Sequence, residues 1–370
     1  MSDLYLFKIS GGKMTILSLN LKRFLALIFT CLFIISCSDS DESHSSDKAT
    51  WTLLDAEEFP KDRPLSRVED GVMLLDGSLI VADQRYGLAH VDVSGEVTPF
   101  GNFQVLGYQH NPPNVEAGPN GINLTPDKRY VLTADVLSGQ IYKTSIESNS
   151  SEIIYSHEYG VNTARQDSTG AIWFTQSTEN QNEARLFGAL AQVIPDGALY
   201  RLPAAGEGSP QIPELILEGL NFANGFYIDE ASKKFYLSEM MSSRVLAFDL
   251  DISSGSLSNQ TTLAQMPSPD NMALNHDGTL WVASPLANQI FSIDVSTGTT
   301  KIVFDAQTEE GSKLVDEGLA SVKNGDGWAD LVGPELTGNM PGLLTGMILG
   351  DEDQPFYVAN LGAALIKVSP

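Results

Sequence analysis

Cysteine is almost missing from this chain of 370 residues: Cys31 and Cys37 are its only two, and both stand near the N-terminus. Beyond residue 37 there is consequently no disulfide framework, no thiol nucleophile and no cysteine ligand for a soft metal. Positive charge is scarce as well. The 22 Lys and Arg are outnumbered by 47 Asp and Glu, for a formal net charge of −25. That balance argues against nucleic acid as a partner, because a phosphate backbone needs a basic face. An acidic surface of this kind is well solvated and suits a cation-rich setting. Long hydrophobic runs are also lacking. The apolar run from Phe24 to Ile35 is too short to span a bilayer comfortably.

That run has a different use. Lys22 and Arg23 precede it, Ser36-Cys37 ends it, and the Ser/Asp-rich stretch of residues 38–48 follows at once. A basic region, an apolar segment and a small residue at the cut describe a secretory signal. A cysteine directly after the cut resembles the lipobox of bacterial lipoproteins, whose thiol carries the lipid; an ordinary signal peptide and an uncleaved anchor are the alternatives. The expected organisation is a leader over residues 1–36, with Met14 as a second possible start, a tether over residues 37–50 and a folded domain over residues 51–370. The implied location is the periplasmic side of a bacterial envelope, at the outer membrane, with the membrane reached only through a lipid on Cys37.

What the domain does have is a repeat. A polar lead residue, a short apolar strand, an Asp/Gly-type turn and a second strand recur five times. Glu69-Asp70-Gly71 precedes VMLLDGSLIVAD, Asn120-Gly121 precedes INLTPDKRYVLTAD, and Asn162 precedes TARQDSTGAIWFTQS. Asn224-Gly225 precedes FYIDEASKKFYLSE, and Asp270-Asn271 precedes MALNHDGTLWVAS. Repeats about 40 to 60 residues apart, each holding several short strands, predict an all-β propeller. A sixth set runs from Leu343 to Val368 but holds only three strands. The expectation is six blades, with five and seven as neighbouring counts, closed by Trp51-Thr52-Leu53-Leu54 supplying the missing strand. Two stretches break the pattern. One is an insertion from Ser177 to Gln192; the other, Gln307 to Gly342, is expected to hold a short helix around Lys313 to Val322.

Propeller geometry gives the lead residue its importance. The innermost strand of each blade borders the central channel, so a residue just before it lies at the channel mouth. Any one Asn-Gly or Asp-Gly in isolation reads as a plain turn. Five lead positions filled with Asp, Asn or Glu instead form a ring of oxygens suited to a hard cation.

With these motifs written out, residues 65–370 resemble the calcium-dependent six-bladed propellers: the gluconolactonase and regucalcin family, diisopropyl fluorophosphatase, paraoxonase-type arylesterases and strictosidine synthase-like proteins. The stretch FANGFYIDEASKKFYLSEMMSSRVLAFDLD is similar to the Asn-Gly blade of gluconolactonase-like proteins. PSPDNMALNHDGTLWVAS resembles the Pro-Asp-Asn blade of paraoxonases and strictosidine synthase-like proteins. The resemblance implies a catalytic Ca²⁺, or another divalent cation, held by Glu69, Asn162, Asn224 and Asp270. Asn120 and Asn271 are then extra ligands or substrate contacts. This chain departs from the regucalcin-like pattern at Asp70-Gly71 and at Thr163. Asn120 stands where paraoxonases carry a catalytic His, for which His110 is the nearby substitute or else a plain loop residue. The implied activity is hydrolysis of a small-molecule lactone or ester, with Asp270 or Glu69 as general base or nucleophile. The alternatives are a lipid-anchored binding module with a structural cation, and a strictosidine synthase-like activity.

Overall fold

The computed structural model describes residues 9–10, 13–14, 50–204, 212–351 and 354–369. The leader, the tether and Cys37 lie outside them, apart from Ile9–Ser10 pairing with Lys13–Met14 and the single residue Thr50. The chain divides into two compact units, Met1–Asp47 and Lys48–Pro370. The second is a six-bladed β-propeller.

Each blade is an antiparallel sheet in which consecutive strands pair with their neighbours. The inner strands are Gly71–Met73, Pro119–Leu124, Ala164–Gln166, Ala223–Asp229, Met272–Leu274 and Leu344–Ile348. The second strands are the most thoroughly buried: Leu79–Asp83, Ile172–Gln176, Leu280–Ser284 and Phe356–Asn360 are buried at every position. Covered by a blade on either side, such strands read as continuous apolar runs instead of alternating ones. Apolar clusters fill the wedges between blades. One joins Trp173 and Leu199 of the third blade to Phe226, Phe235 and Phe248 of the fourth, with Phe226 and Phe235 stacked 5.2 Å apart.

The ring closes by a different segment from the one the sequence suggested. Ala56–Phe59, not Trp51–Leu54, is the fourth strand of the last blade, pairing antiparallel with Leu365–Val368. Trp51–Thr52 instead runs parallel to the outer strand of the fifth blade, pairing with Phe304 and Asp305. The cause is a local turn. The Asp55 carboxylate accepts from Thr52 N at 3.0 Å and Thr52 Oγ1 accepts from Leu54 N at 3.2 Å, a capping box around a 3₁₀ turn at Leu53–Asp55. That turn interrupts what reads as one apolar strand and leaves Leu54 97% exposed. Trp51 still bridges the last two blades, its ring 5.2 Å from that of Phe356 and 6.2 Å from that of Trp281.

Both insertions are helical. The first holds α1, Glu183–Ala191, capped by the Asn182 side chain accepting from Arg185 N at 2.9 Å. The second holds α2, Glu309–Lys323, and α3, Pro334–Thr337. α2 begins a turn earlier than expected because Thr308 caps it, accepting from Gly311 N at 2.9 Å, with Glu309 and Glu310 favourably placed in its first turn. Backbone bonds stitch the two insertions together: Trp328 N donates to Leu190 O at 2.9 Å, Gly327 N to Ala191 O at 2.8 Å, and Val193 N to Gly325 O at 3.1 Å.

Candidate metal centre at the channel mouth

The lead residues meet where the inner strands begin. Glu69, Asn120, Asn162, Asn224, Asp270 and Asn271 are all buried, none more than 8% exposed. The blades are knitted together at this level by bonds from one lead residue to the next. Gly121 N donates to Asn162 O at 2.9 Å, and Asn271 N donates to Thr345 O at 3.2 Å. Thr175 Oγ1 donates to Asn224 O at 2.9 Å, and Thr345 Oγ1 to Glu69 O at 2.8 Å. Gly121 and Gly225 are required by this crowding and not by a turn, since neither has a positive φ. A Cβ on Gly121 would lie 2.2 Å from Thr163 Oγ1, and one on Gly225 would lie 2.7 Å from Asn271 Cα. Strand pairing also shifts register beside Asn120 and Asn224, a device that re-aims a side chain at the end of a strand.

Glu69, Asn120, Asn162, Asn224 and Asp270 line one pocket of about 100 Å³. Four of them leave an oxygen there with no hydrogen-bond partner: Glu69 Oε2, Asn162 Oδ1, Asn224 Oδ1 and Asp270 Oδ1. Buried oxygens are seldom left in this state. Two of the four, Glu69 and Asn162, are held at the opposite end. Asn271 Nδ2 donates to Glu69 Oε1 at 3.0 Å, Asn162 Nδ2 donates to Ser177 Oγ at 3.0 Å, and Ser177 in turn donates to Ala223 O at 2.8 Å. An amide whose nitrogen is committed presents its oxygen in a fixed direction. Asn120 is engaged at both ends, accepting from Arg67 Nη2 at 3.0 Å and donating to Asn162 O at 3.1 Å, and so positions its neighbours. Asn271 does the same for Glu69. His110 is outside the pocket, its Nδ1 accepting from Ala117 N at 3.4 Å within its own loop.

Burial dominates the electrostatics. It pushes Glu69 well above the ordinary glutamate range, helped by the charges of Asp70 and Asp270 and opposed by Arg67 and the Asn271 hydrogen bond. Asp270 is raised in the same way, by burial first and by Asp70 second, against hydrogen bonding from Asn224. Asp70 is raised to about 7 by burial, although the backbone N–H groups of Ile122 and Gly71 and the charge of Arg165 pull the other way. Three carboxyls are thus packed where water cannot stabilise their charge. Among the described residues no group of three or more His, Cys, Asp or Glu is arranged to hold a metal. The ring's free donors are two carboxylates and two carboxamides, an all-oxygen set that suits Ca²⁺ or Mg²⁺ and not a soft ion.

Sequence reasoning missed two residues of this site. Arg67 lines the pocket and fixes Asn120, held by a second bond from Nη1 to Pro119 O at 2.8 Å and carrying an uncommon φ of 53°. Thr345 is the lead residue of the sixth blade. It precedes Gly346 as Asn224 precedes Gly225, and that spacing was the available signal.

A six-bladed propeller with a buried ring of oxygens at one channel mouth defines a recognisable class, and the comparisons with known proteins agree. Residues 155–309 match the family described as the SMP-30/gluconolactonase/LRE-like region. Regucalcin of Sus scrofa is 30% identical over 103 residues, covering 26% of this chain and 34% of that protein. Regucalcin of Danio rerio is 34% identical over 83 residues, or 21% and 28% of the two chains. The chain thus spans about a third of the length of the curated relatives it matches. Among solved structures, a gluconolactonase of Xanthomonas campestris superposes with a TM-score of 0.56 at 15% identity over 83% of this chain and 87% of that one. A luciferin-regenerating enzyme does so with 0.56 at 16% identity over 85% and 95%. At such identities the likeness is one of fold. Residues 155–309 are thus similar in sequence to the SMP-30/gluconolactonase/LRE-like family, and the propeller as a whole shares its fold with gluconolactonase structures.

Proposed function

We propose that this protein is a divalent-cation-dependent hydrolase of a small lactone or ester. The observation that carries the reading is the set of four unpartnered buried oxygens on Glu69, Asn162, Asn224 and Asp270, all lining one pocket. These four side chains would hold the cation. When bound, it supplies Lewis-acid polarisation of a carbonyl oxygen and a lowered pKa for water.

The chain's own groups do the rest. Asp270 or Glu69 would take the proton from the attacking water, or attack as nucleophile. Arg67 opposes the rise that burial causes at both carboxyls, so their charge is balanced from one side of the pocket. Asn271 holds Glu69, and Ser177 holds Asn162, against rotation. Leu186, Phe187 and Leu190 of the first insertion and Trp328 of the second line the pocket that holds these groups. The similarity of residues 155–309 to the SMP-30/gluconolactonase/LRE-like family supports lactone chemistry, and the similar folds include gluconolactonases.

The test is a panel of lactones and aryl esters given to the purified full-length protein with Ca²⁺ and with chelator. The proposal predicts turnover that chelator abolishes and Ca²⁺ restores. Cation binding with no turnover of any panel member would instead mark a binding module with a structural ion.

A further inference from the structure

The pocket that holds the oxygen ring is also lined by a set of apolar side chains. Its walls come from α1, which contributes Leu186, Phe187 and Leu190, and from Trp328 in the second insertion. The blades add Val136, Phe222, Met240 and Leu343. Most of these side chains belong to one apolar cluster that continues into α2 through Leu314 and Leu319, so the walls are the underside of a hydrophobic roof. The roof is held as one piece by the backbone bonds from Trp328 to Leu190 and from Gly327 to Ala191. Polar wall groups, Gln84 and Glu183, are few, and Gln84 is already spent on Ala117 O at 2.8 Å. Phe187 is 48% exposed although it lines the pocket, so an apolar edge reaches from the buried ring to solvent.

Resting on the hydrolase reading above, we infer that the substrate is a lactone or ester bearing an unsubstituted hydrocarbon chain, and not a polyhydroxylated sugar lactone. The carbonyl end meets the oxygen ring, and the chain lies along α1 and leaves past Phe187. A sugar lactone would place several hydroxyls against Leu, Phe, Met and Trp side chains, and hydroxyls buried without partners are strongly rejected. Each methylene placed against the same walls improves binding by about fourfold until the chain emerges into water.

The experiment measures kcat/KM of the full-length protein with Ca²⁺ on γ-butyrolactone, γ-hexalactone, γ-octalactone, γ-decalactone and glucono-1,5-lactone. The inference predicts a rise of two- to fourfold per methylene over the early members, with glucono-1,5-lactone at least tenfold below γ-octalactone. Phe187→Ser, at an exposed position, is expected to flatten the rise, with the loss in KM and not in kcat. A flat or falling series with glucono-1,5-lactone cleaved fastest overturns this inference and leaves the hydrolase reading standing. Absence of turnover on every lactone overturns the hydrolase reading itself, and this inference with it.

Discussion

Asp270→Asn separates a cation-binding ring from a merely polar hub, because the two predict opposite outcomes. The substitution keeps the shape of the side chain and its ability to accept from Asn224, but removes one of three buried carboxyls. If the ring exists to hold a divalent ion, those carboxyls are a liability whenever the ion is absent. A buried ion without compensation costs several kcal/mol, so removing one returns on the order of 2 kcal/mol to the cation-free protein at pH 8. A propeller of about 320 residues unfolds with an entropy near 0.7 kcal/mol/K, so this gain raises the melting temperature by roughly 3 °C. Adding Ca²⁺ at a hundred times its dissociation constant stabilises the native protein by about 2.7 kcal/mol, or about 4 °C. The variant should gain less than about 1 °C from the same addition, having lost a charged ligand. Differential scanning calorimetry at pH 8, with chelator and with Ca²⁺, reads both numbers. A variant that melts below the native protein in chelator, or that keeps the full Ca²⁺ increment, refutes the reasoning.

Three further outcomes follow from particular residues. Gly225→Ala drives a Cβ into the backbone of Asp270 and Asn271 and should cost about 1–3 kcal/mol in urea denaturation. Gly188→Ala in α1, where a Cβ would meet nothing within 4 Å, should be neutral or slightly stabilising, and equal losses at both sites would contradict the crowded hub. Asp70 is raised to about 7 in the fold against about 3.9 unfolded. Its contribution to stability is therefore complete below the unfolded value and lost as pH climbs through about 7. Melting in chelator should accordingly fall between pH 5 and pH 8, and a rise across that window would count against the buried carboxyl group. Finally, Cys37→Ser should release the protein from the membrane fraction of expressing cells and abolish labelling by a fatty-acid analogue; retention would favour an uncleaved anchor.

The blades were readable in the sequence because each repeats the same local chemistry, an apolar run ended by an Asp/Gly turn, and burial on both faces keeps the run continuous. The lead residues were readable for a related reason. Each of them precedes an inner strand, and the repeat fixes where that strand begins even in the absence of any contact information. Glu69, Asn162, Asn224 and Asp270 accordingly fall on one pocket although more than 200 residues separate the outermost pair. The strand that closes the ring was not readable, because Trp51-Thr52-Leu53-Leu54 looks apolar while a Thr52–Asp55 capping box bends it away. The crowding that demands glycine at Gly121 and Gly225 was not readable, because it arises from the close approach of neighbouring blades. Arg67 left no trace in the repeat, since it acts across blades through Asn120 and its spacing to Glu69 occurs once. The roof over the pocket was visible only as two interruptions of the pattern. That they meet depends on tertiary bonds between Leu190, Ala191, Gly327 and Trp328.

The central claim is that four distant side chains share one ion. Anomalous diffraction from crystals of the protein soaked in Mn²⁺ or Ca²⁺ tests it most directly. The account predicts a single strong peak at the channel mouth, about 2.0–2.6 Å from Glu69 Oε2, Asn162 Oδ1, Asn224 Oδ1 and Asp270 Oδ1. A peak lying elsewhere, or density for water alone between those oxygens at saturating cation, would contradict it.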